Sequence, residues 1–103
     1  MPQFMVIARD GSDPDAPARR AAARPAHLSR IADDVAAGRI VVGGAILDEA
    51  KNPVASVLIC DFPDREAIEA WLEADPYRLA GVWHRVEVTR FRVAVERNGV
   101  PAG

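Results

Sequence analysis

Three apolar segments constrain the fold of this chain most, because each is apolar at consecutive positions rather than at every second position. They are residues 4–7, 40–42 and 57–59. Side chains alternate between the two faces of a β-strand, so a strand that is apolar throughout must be covered on both faces. The segments therefore predict a sheet with one apolar face under helices and a second apolar face that needs another cover.

Turn residues and hydrophobic periodicity divide the chain into six elements. They are, in chain order, a strand at residues 4–8, a helix at 16–37, strands at 40–47 and 54–60, a helix from the Asp64 cap to just before Pro76, and a strand from about 82 to 95. This β-α-β-β-α-β order is the ferredoxin-like pattern. The predicted fold class is therefore α+β, with a four-stranded antiparallel sheet and two helices on one face.

The two longest elements carry predicted irregularities. In the first helix, Pro25 predicts a break or a kink. The apolar residues of that helix that share one face, and are therefore expected to be buried, are Leu28, Ile31, Ala32 and Val35. In the last strand the apolar positions change parity, which predicts a bulge or a break near residues 89–90.

Composition limits the classes of function. The 103 residues carry 13 basic and 15 acidic side chains, a net charge of −2, which leaves no basic excess for binding nucleic acid. No apolar run approaches the roughly 20 residues of a membrane span. The single cysteine, Cys60, excludes an internal disulfide and favours a cytoplasmic location. We expect one domain over residues 1–97, followed by a flexible tail at 98–103.

The second apolar face of the sheet predicts an oligomer. A contiguous apolar sheet surface is rare on a soluble monomer. A second copy of the same sheet, related by a two-fold axis, would cover that surface. We therefore expect a homodimer in which the two sheets pack face to face.

His27 and Asp75 are the main candidates for chemistry. The sequence contains no nucleophile-elbow, phosphate-loop, metalloprotease or dinucleotide-binding motif. In the predicted topology the two helices have their lower ends on the same side, at Gly38 and Asp64. His27 and Asp75 each lie eleven residues from these ends, so both stand about 16 Å above them. Neighbouring helices pack about 8–10 Å apart, and we expect the two side chains to open onto one cleft.

An imidazole beside a carboxylate is suited to proton transfer. Unperturbed imidazole has a pKa of about 6.5, and a carboxylate fixes its tautomer and stabilises its protonated form. Structural roles stay open for both residues. His27 could be a boundary histidine bonded to a backbone carbonyl, and Asp75 could cap a short helical turn that begins at Pro76. Two ligands are fewer than the three that catalytic zinc usually has, so no metal is expected.

Arg24 and Tyr77 are candidates for substrate contact. Arg24 could bind an anionic group of a substrate, or it could pair with Asp13 or Asp15 in solvent. Tyr77 follows the Asp-Pro corner, where it could line a pocket or fill the core.

Several segments together carry a resemblance to a known family. They are Arg24-Pro25-Ala26-His27-Leu28, Gly43-Gly44-Ala45-Ile46-Leu47, Glu73-Ala74-Asp75-Pro76-Tyr77 and Ala80-Gly81-Val82-Trp83, followed by Val86 and Phe91. In this order they resemble the YciI-like, or YCII-related, proteins. The resemblance implies a ferredoxin-like fold that dimerises into an α/β barrel and a site built on His27 and Asp75. It also implies an enzymatic role, and some members are linked to removal of chloride from chlorinated hydroxyaromatics.

The function expected from these observations is that of a small, cofactor-independent enzyme. His27 and Asp75 would carry out lyase- or hydrolase-like acid–base chemistry on a small polar cyclic or aromatic substrate, which Arg24 and Tyr77 would contact. One alternative is a homodimer that binds a small ligand without catalysis. Another is a relative of the dimeric-barrel monooxygenases and isomerases, which share the architecture.

Overall fold

The computed structural model describes residues 1–97 and 99 of the chain. Its elements are β1 (Gln3–Asp10), α1 (Ala16–Ala36), β2 (Ile40–Leu47), β3 (Pro53–Asp61), α2 (Arg65–Glu73), the one-turn helix α3 (Pro76–Leu79) and β4 (Trp83–Phe91). The strands form one antiparallel sheet in the order β2-β3-β1-β4. This is the predicted ferredoxin-like topology, with α3 added before β4. None of the helices in the described part of the chain has the length and hydrophobicity needed to cross a membrane.

The predicted tail at residues 98–103 lies outside the described residues, apart from Gly99. Gly99 forms an isolated antiparallel bridge with Glu96.

One face of the sheet forms the hydrophobic core beneath the helices. Phe4 and Val6 of β1 are almost fully buried, and their register partners on β3 are Cys60 and Leu58. Ile68 of α2 packs against this layer and is fully buried, which contributes roughly 1.5–3 kcal/mol. As predicted, Asp64 caps α2, and its side chain accepts a hydrogen bond from the backbone N–H of Ala67.

The predicted break at Pro25 is wrong, because α1 runs without interruption from Ala16 to Ala36. A proline inside a helix leaves the carbonyl four residues earlier without its N–H partner. Here that carbonyl belongs to Ala21, and both Ala21 and Pro25 are exposed. Water can therefore replace the lost hydrogen bond, which lowers the cost of keeping the helix continuous.

The predicted buried stripe of α1 is wrong in part, because Ile31 packs partly buried against the core while the other stripe residues are exposed. Leu28 is 44% exposed and Val35 is 53% exposed. The polar residues Arg20, His27 and Asp34 are buried instead, spaced seven residues apart along the helix. Seven residues are about two helical turns, so the three side chains share one face. The polar face turns inward because each of its side chains finds a hydrogen-bonding partner on another element, as described below.

Of the bulge or break predicted near residues 89–90, the bulge is absent, and the strand ends close by instead of continuing to residue 95. β4 pairs with β1 in continuous register from Arg85 to Phe91, and the register shift lies at the other end, between Arg9 and Asp10. Phe91 is the last residue of β4, and Val93 and Val95 lie in the segment that follows it.

The other face of the sheet is apolar, as predicted. Alternation along the strands places Met5 and Ile7 of β1 and Val57 and Ile59 of β3 on this face, where all four are half-buried. Val42 of β2 pairs with Ile59 and is 59% exposed. The contiguous apolar surface that motivates the homodimer hypothesis is thus present.

Candidate active site

His27 and Asp75 lie in direct contact. His27 projects from the buried face of α1, and Asp75 occupies the corner between α2 and α3. The His27 Nδ1 atom lies 2.8 Å from the Asp75 Oδ1 atom. The His27 residue is 7% exposed and Asp75 is fully buried. The structure therefore brings together the two residues that the helix geometry placed at one height.

Asp75 has three hydrogen-bonding partners. Its Oδ1 atom also accepts a hydrogen bond from the backbone N–H of Tyr77, at 2.9 Å, which makes Asp75 the N-cap of α3. Its Oδ2 atom accepts one from the Arg30 guanidinium at 3.0 Å. The structural and functional interpretations of Asp75 are thus compatible, because one carboxylate caps the turn and holds the imidazole.

The contact with Asp75 determines which ring nitrogen of His27 is available. An ionised carboxylate only accepts hydrogen bonds, so Nδ1 carries the proton and donates to Asp75. In the neutral ring, Nε2 then bears a lone pair. Within the described part of the chain, no protein group forms a hydrogen bond with Nε2. His27 therefore has one nitrogen available for a bound molecule.

A cavity of about 320 Å³ lies beside His27. It is lined by Arg20, Arg24, His27, Leu28, Ile31, Val35, Ile40, Val42, Gly43, Gly44, Ala45, Ser56, Leu58 and Tyr77. Asp75 does not line it, which corrects the expectation that both side chains open onto one cleft. The apolar stripe of α1 forms part of the wall, which explains why Leu28 and Val35 are exposed rather than packed in the core.

Two aromatic rings, those of Tyr77 and Trp83, fix the orientation of the imidazole. The rings of His27 and Tyr77 are stacked, with centroids 3.9 Å apart and planes at 13°. The Trp83 ring meets both of them edge-on, at 5.7 Å. Burial raises the pKa of the Tyr77 phenol above its usual range, so the phenol stays protonated at neutral pH. The Tyr77 hydroxyl is thus a potential donor at the cavity.

Arg24 lies at the cavity and not in the surface ion pair that the sequence left open. Asp13 instead pairs with Arg19, at 2.7 Å. None of the ion pairs among the described residues includes Arg24 or Asp15. The Arg24 guanidinium, exposed to solvent and to the cavity, can therefore interact with an anionic ligand.

The charges around the cavity leave a positive balance. Arg20 is neutralised by Asp10, and Arg30 is neutralised by Asp75. Arg24 is the remaining cation among the lining residues that the structure describes. With a neutral imidazole the lining therefore favours a ligand with one negative charge.

Sequence reasoning missed Arg20, Arg30, Ser56 and Trp83. Arg20 donates to both carboxylate oxygens of Asp10, at 2.7 and 2.8 Å, and to the Ser56 hydroxyl at 3.0 Å. The seven-residue spacing of Arg20, His27 and Asp34 could have indicated Arg20, since such a repeat places the three side chains on one face of α1. No comparable pattern marks Ser56 or Trp83, which join the site only through the pairing of distant strands.

Cys60 is buried in the core and does not line the cavity. Burial raises the pKa of the Cys60 thiol to about 12, which suits a core residue. Among residues 1–97 and 99, no group of three or more His, Cys, Asp or Glu side chains is positioned to hold a metal ion.

Comparison with known proteins places the chain in a family. The model of the YCII-related domain matches residues 3–92. The chain belongs to the YCII-related family. Protein YciI of Escherichia coli is 34% identical over 95 residues, covering 86% of this chain and 95% of the relative. An uncharacterised protein of Haemophilus influenzae is 33% identical over 97 residues, with the same coverage.

Two solved structures share the fold. The 5-chloro-2-hydroxyhydroquinone dehydrochlorinase of Burkholderia phenoliruptrix, in complex with 2,5-dihydroxybenzoquinone, has a TM-score of 0.76 and 24% identity, covering 94% of this chain and 98% of its own. An antibiotic biosynthesis monooxygenase has a TM-score of 0.52 and 16% identity, covering 90% and 98%. The predicted fold class is confirmed: a ferredoxin-like α+β sheet of the type found in dimeric α/β barrel proteins.

Proposed function

We propose that this YCII-related protein is a small-molecule enzyme in which His27 transfers a proton to or from a bound substrate. The observation that carries the proposal is the 2.8 Å contact between His27 Nδ1 and a fully buried carboxylate, with the same imidazole lining a 320 Å³ cavity. The fold-level likeness to a dehydrochlorinase that binds a small quinone adds support.

The proposed mechanism assigns a distinct role to each residue. Nε2 of His27 accepts a proton from the substrate, and Asp75 stabilises the imidazolium through the Nδ1–H hydrogen bond. Arg24 binds an anionic group of the substrate, and the Tyr77 hydroxyl donates a hydrogen bond to it. The wall formed by Leu28 and Ile31 packs against a ring, so the substrate class is a small, polar cyclic or aromatic molecule. Proton transfer of this kind needs no cofactor.

The variant His27→Asn tests the proposal, because the asparagine amide nitrogen lies near the position of Nδ1 and keeps a donor for Asp75, but it cannot exchange a proton near neutral pH. The first substrate to assay is 5-chloro-2-hydroxyhydroquinone, whose dehydrochlorination releases chloride and a proton and leaves a hydroxyquinone. We expect the variant to lose turnover by about 10²–10⁴-fold while remaining folded. Unchanged turnover in the folded variant would disprove the role of His27. Ligand binding without any turnover in the wild type would favour the non-catalytic alternative.

We also propose that the protein is a homodimer whose two apolar sheet faces pack together. The face that contains Met5, Ile7, Val57 and Ile59 supports this, because exposed apolar sheet surfaces of this kind are rare on monomers. Analytical ultracentrifugation at micromolar concentration is the test, and Ile59→Arg is the matched variant. We expect a dimer for the wild type and dissociation for the variant. A stable 11.1 kDa wild-type monomer would refute the dimer.

The single cysteine, Cys60, supports a cytoplasmic location, because the thiol is free and a reducing compartment keeps it so. Cell fractionation with an antibody against the protein tests this expectation.

A further inference from the structure

Ser56 lies in the floor of the cavity, on the strand β3. Its register partners are Ala8 on β1 and Ala45 on β2. These small side chains leave room above the sheet for the Arg20 side chain of α1 and the Trp83 side chain of β4. Ser56 is 5% exposed, and its side chain faces the same cavity as His27.

Two hydrogen-bond donors saturate the accepting capacity of the Ser56 hydroxyl. The Arg20 Nη2 atom lies 3.0 Å from Ser56 Oγ, and the Trp83 Nε1 atom lies 3.1 Å from it. Guanidinium and indole N–H groups only donate, whereas a hydroxyl has two acceptor lone pairs and one hydrogen. The direction of both bonds is therefore fixed without any assumption about where the hydroxyl hydrogen lies.

The remaining capacity of the hydroxyl is donation of its own hydrogen. In the hydrogen bonds of the described residues, Ser56 Oγ donates to no acceptor. Buried hydroxyl groups normally use their hydrogen, so the free O–H calls for an acceptor in the cavity. A ligand atom that itself presents an N–H or O–H at this point would meet a hydrogen instead of a lone pair.

The donors that impose this direction are held rigidly. The Arg20 Nη1 atom bonds to both oxygens of Asp10, and the two side chains are 10% and 6% exposed. Trp83 is 2% exposed, and its ring packs against those of His27 and Tyr77. Donation from the Arg20 cation to Oγ also polarises the hydroxyl and strengthens it as a donor. The same two bonds occupy the lone pairs that a serine nucleophile would need.

We propose that Ser56 is a one-way hydrogen-bond donor that recognises an anionic oxygen of the ligand, such as a phenolate, enolate or carboxylate oxygen. Arg24 supplies the compensating positive charge at the same cavity. This inference rests on the proposed function only for the place where the ligand binds, because it does not require proton transfer by His27.

The experiment compares two probes of similar shape by isothermal titration calorimetry. One is 2,5-dihydroxybenzoquinone, whose hydroxyls are vinylogous acids and so provide anionic oxygens at neutral pH. The other is 2,5-dimethylbenzoquinone, in which methyl groups replace those oxygens. We expect Ser56→Ala to weaken binding of the dihydroxy probe by about 10-fold or more, and to change binding of the dimethyl probe by less than about 2-fold. Ser56→Thr, which keeps the hydroxyl, should restore binding of the dihydroxy probe to within about 3-fold of the wild type.

The dimethyl probe separates recognition from damage to the fold. The inference would be overturned if Ser56→Ala weakened binding of both probes equally. It would also be overturned if the ratio of the two affinities were the same in Ser56→Ala as in the wild type, or if the wild-type protein did not bind the dihydroxy probe. If Ser56→Ala does not fold, Ser56→Cys takes its place, since a thiol keeps the shape but donates weakly. Labelling of Ser56 by a fluorophosphonate would also overturn it, because that requires a free lone pair. Ser56-dependent binding without turnover would refute the proposed function and leave this inference standing.

Discussion

Two buried carboxylates, Asp75 and Asp34, link α1 to the rest of the molecule in similar ways. Each pairs with an arginine and lies next to an aromatic side chain. Asp34 is 4% exposed, and its two oxygens accept hydrogen bonds from Arg39 Nε at 2.7 Å and from Trp71 Nε1 at 2.9 Å. On composition and burial alone the two clusters would receive the same interpretation.

The clusters differ in whether a hydrogen-bonding atom of one of their members stays available to a molecule in the cavity. The partners of Asp34 do not line the cavity. One of the partners of Asp75 is His27, which lines the cavity and keeps a second ring nitrogen available. The comparison teaches that a buried ion pair becomes a candidate for catalysis when one member retains hydrogen-bonding capacity toward a cavity. Without that remaining capacity, a buried ion pair only stabilises the packing of α1 against its neighbours.

The largest expected effect comes from replacing each carboxylate by its amide. Asp75→Asn should lower turnover by about 10²–10⁴-fold, because the amide no longer stabilises the imidazolium. Asp34→Asn should leave turnover within about 2-fold of the wild type. Both should destabilise the fold by about 1–3 kcal/mol, since an amide nitrogen then faces a donor. Initial rates and urea denaturation measure the two quantities, and a large loss of turnover in Asp34→Asn would break the distinction between the clusters.

The arginines of the two clusters should differ in their contribution to stability. Arg30 bonds to the fully buried Asp75 and also donates to the Trp71 carbonyl at 2.8 Å. The side chain of Arg39 is 44% exposed. We expect Arg30→Met to lower the free energy of unfolding by about 1–3 kcal/mol, because it leaves a buried carboxylate oxygen without that partner. Arg39→Met also leaves an oxygen of the buried Asp34 without a partner, but it removes one side-chain hydrogen bond instead of two, and Arg39 is more exposed than Arg30. We therefore expect a smaller loss of stability than for Arg30→Met. Equal losses in urea denaturation would contradict the ranking.

The sequence predicts the order of the elements and the proximity of His27 and Asp75, and both follow from local rules. Turn residues and periodicity locate the ends of helices and strands, and the rise per residue then sets the heights of side chains. The rotation of α1 about its own axis does not follow from local rules. It depends on partners supplied by Asp10, Asp75 and Trp71, which are distant in sequence. The apolar stripe of α1 consequently predicted the burial of Leu28 and Val35 wrongly, because tertiary hydrogen bonds turn Arg20, His27 and Asp34 inward.

A smaller effect is expected at Cys60, a buried titratable group that belongs to neither cluster. Burial, and to a lesser extent the negative charge of Asp61, raises its pKa from 9.0 to about 12. At pH 8 only about one thiol in ten thousand is then ionised, compared with about one in ten for an unshifted thiol. We expect a disulfide reagent such as dithionitrobenzoate to react with Cys60 only after the protein is unfolded by urea. Rapid reaction in the native state would show that the core is open at this position.

The smallest expected effect concerns Asp13 and Arg19, which form an arginine–carboxylate pair like those of the two clusters, but at the surface. The Arg19 hydrogen bond lowers the pKa of Asp13 from 3.8 to about 2. A lowered carboxyl pKa means that the pair stabilises the folded state above about pH 4, and that this stabilisation is lost as the pH falls toward 2. Asp13→Asn should therefore reduce the urea midpoint slightly at pH 6 and by much less at pH 2, where Asp13 of the folded protein is about half protonated. Asp33→Asn, an exposed residue of α1 outside the ion pairs of the described residues, is the matched control and should have no effect at either pH. A loss for Asp13→Asn as large as that for Asp34→Asn would mean that burial does not account for the strength of these pairs, and the comparison between clusters would need another basis.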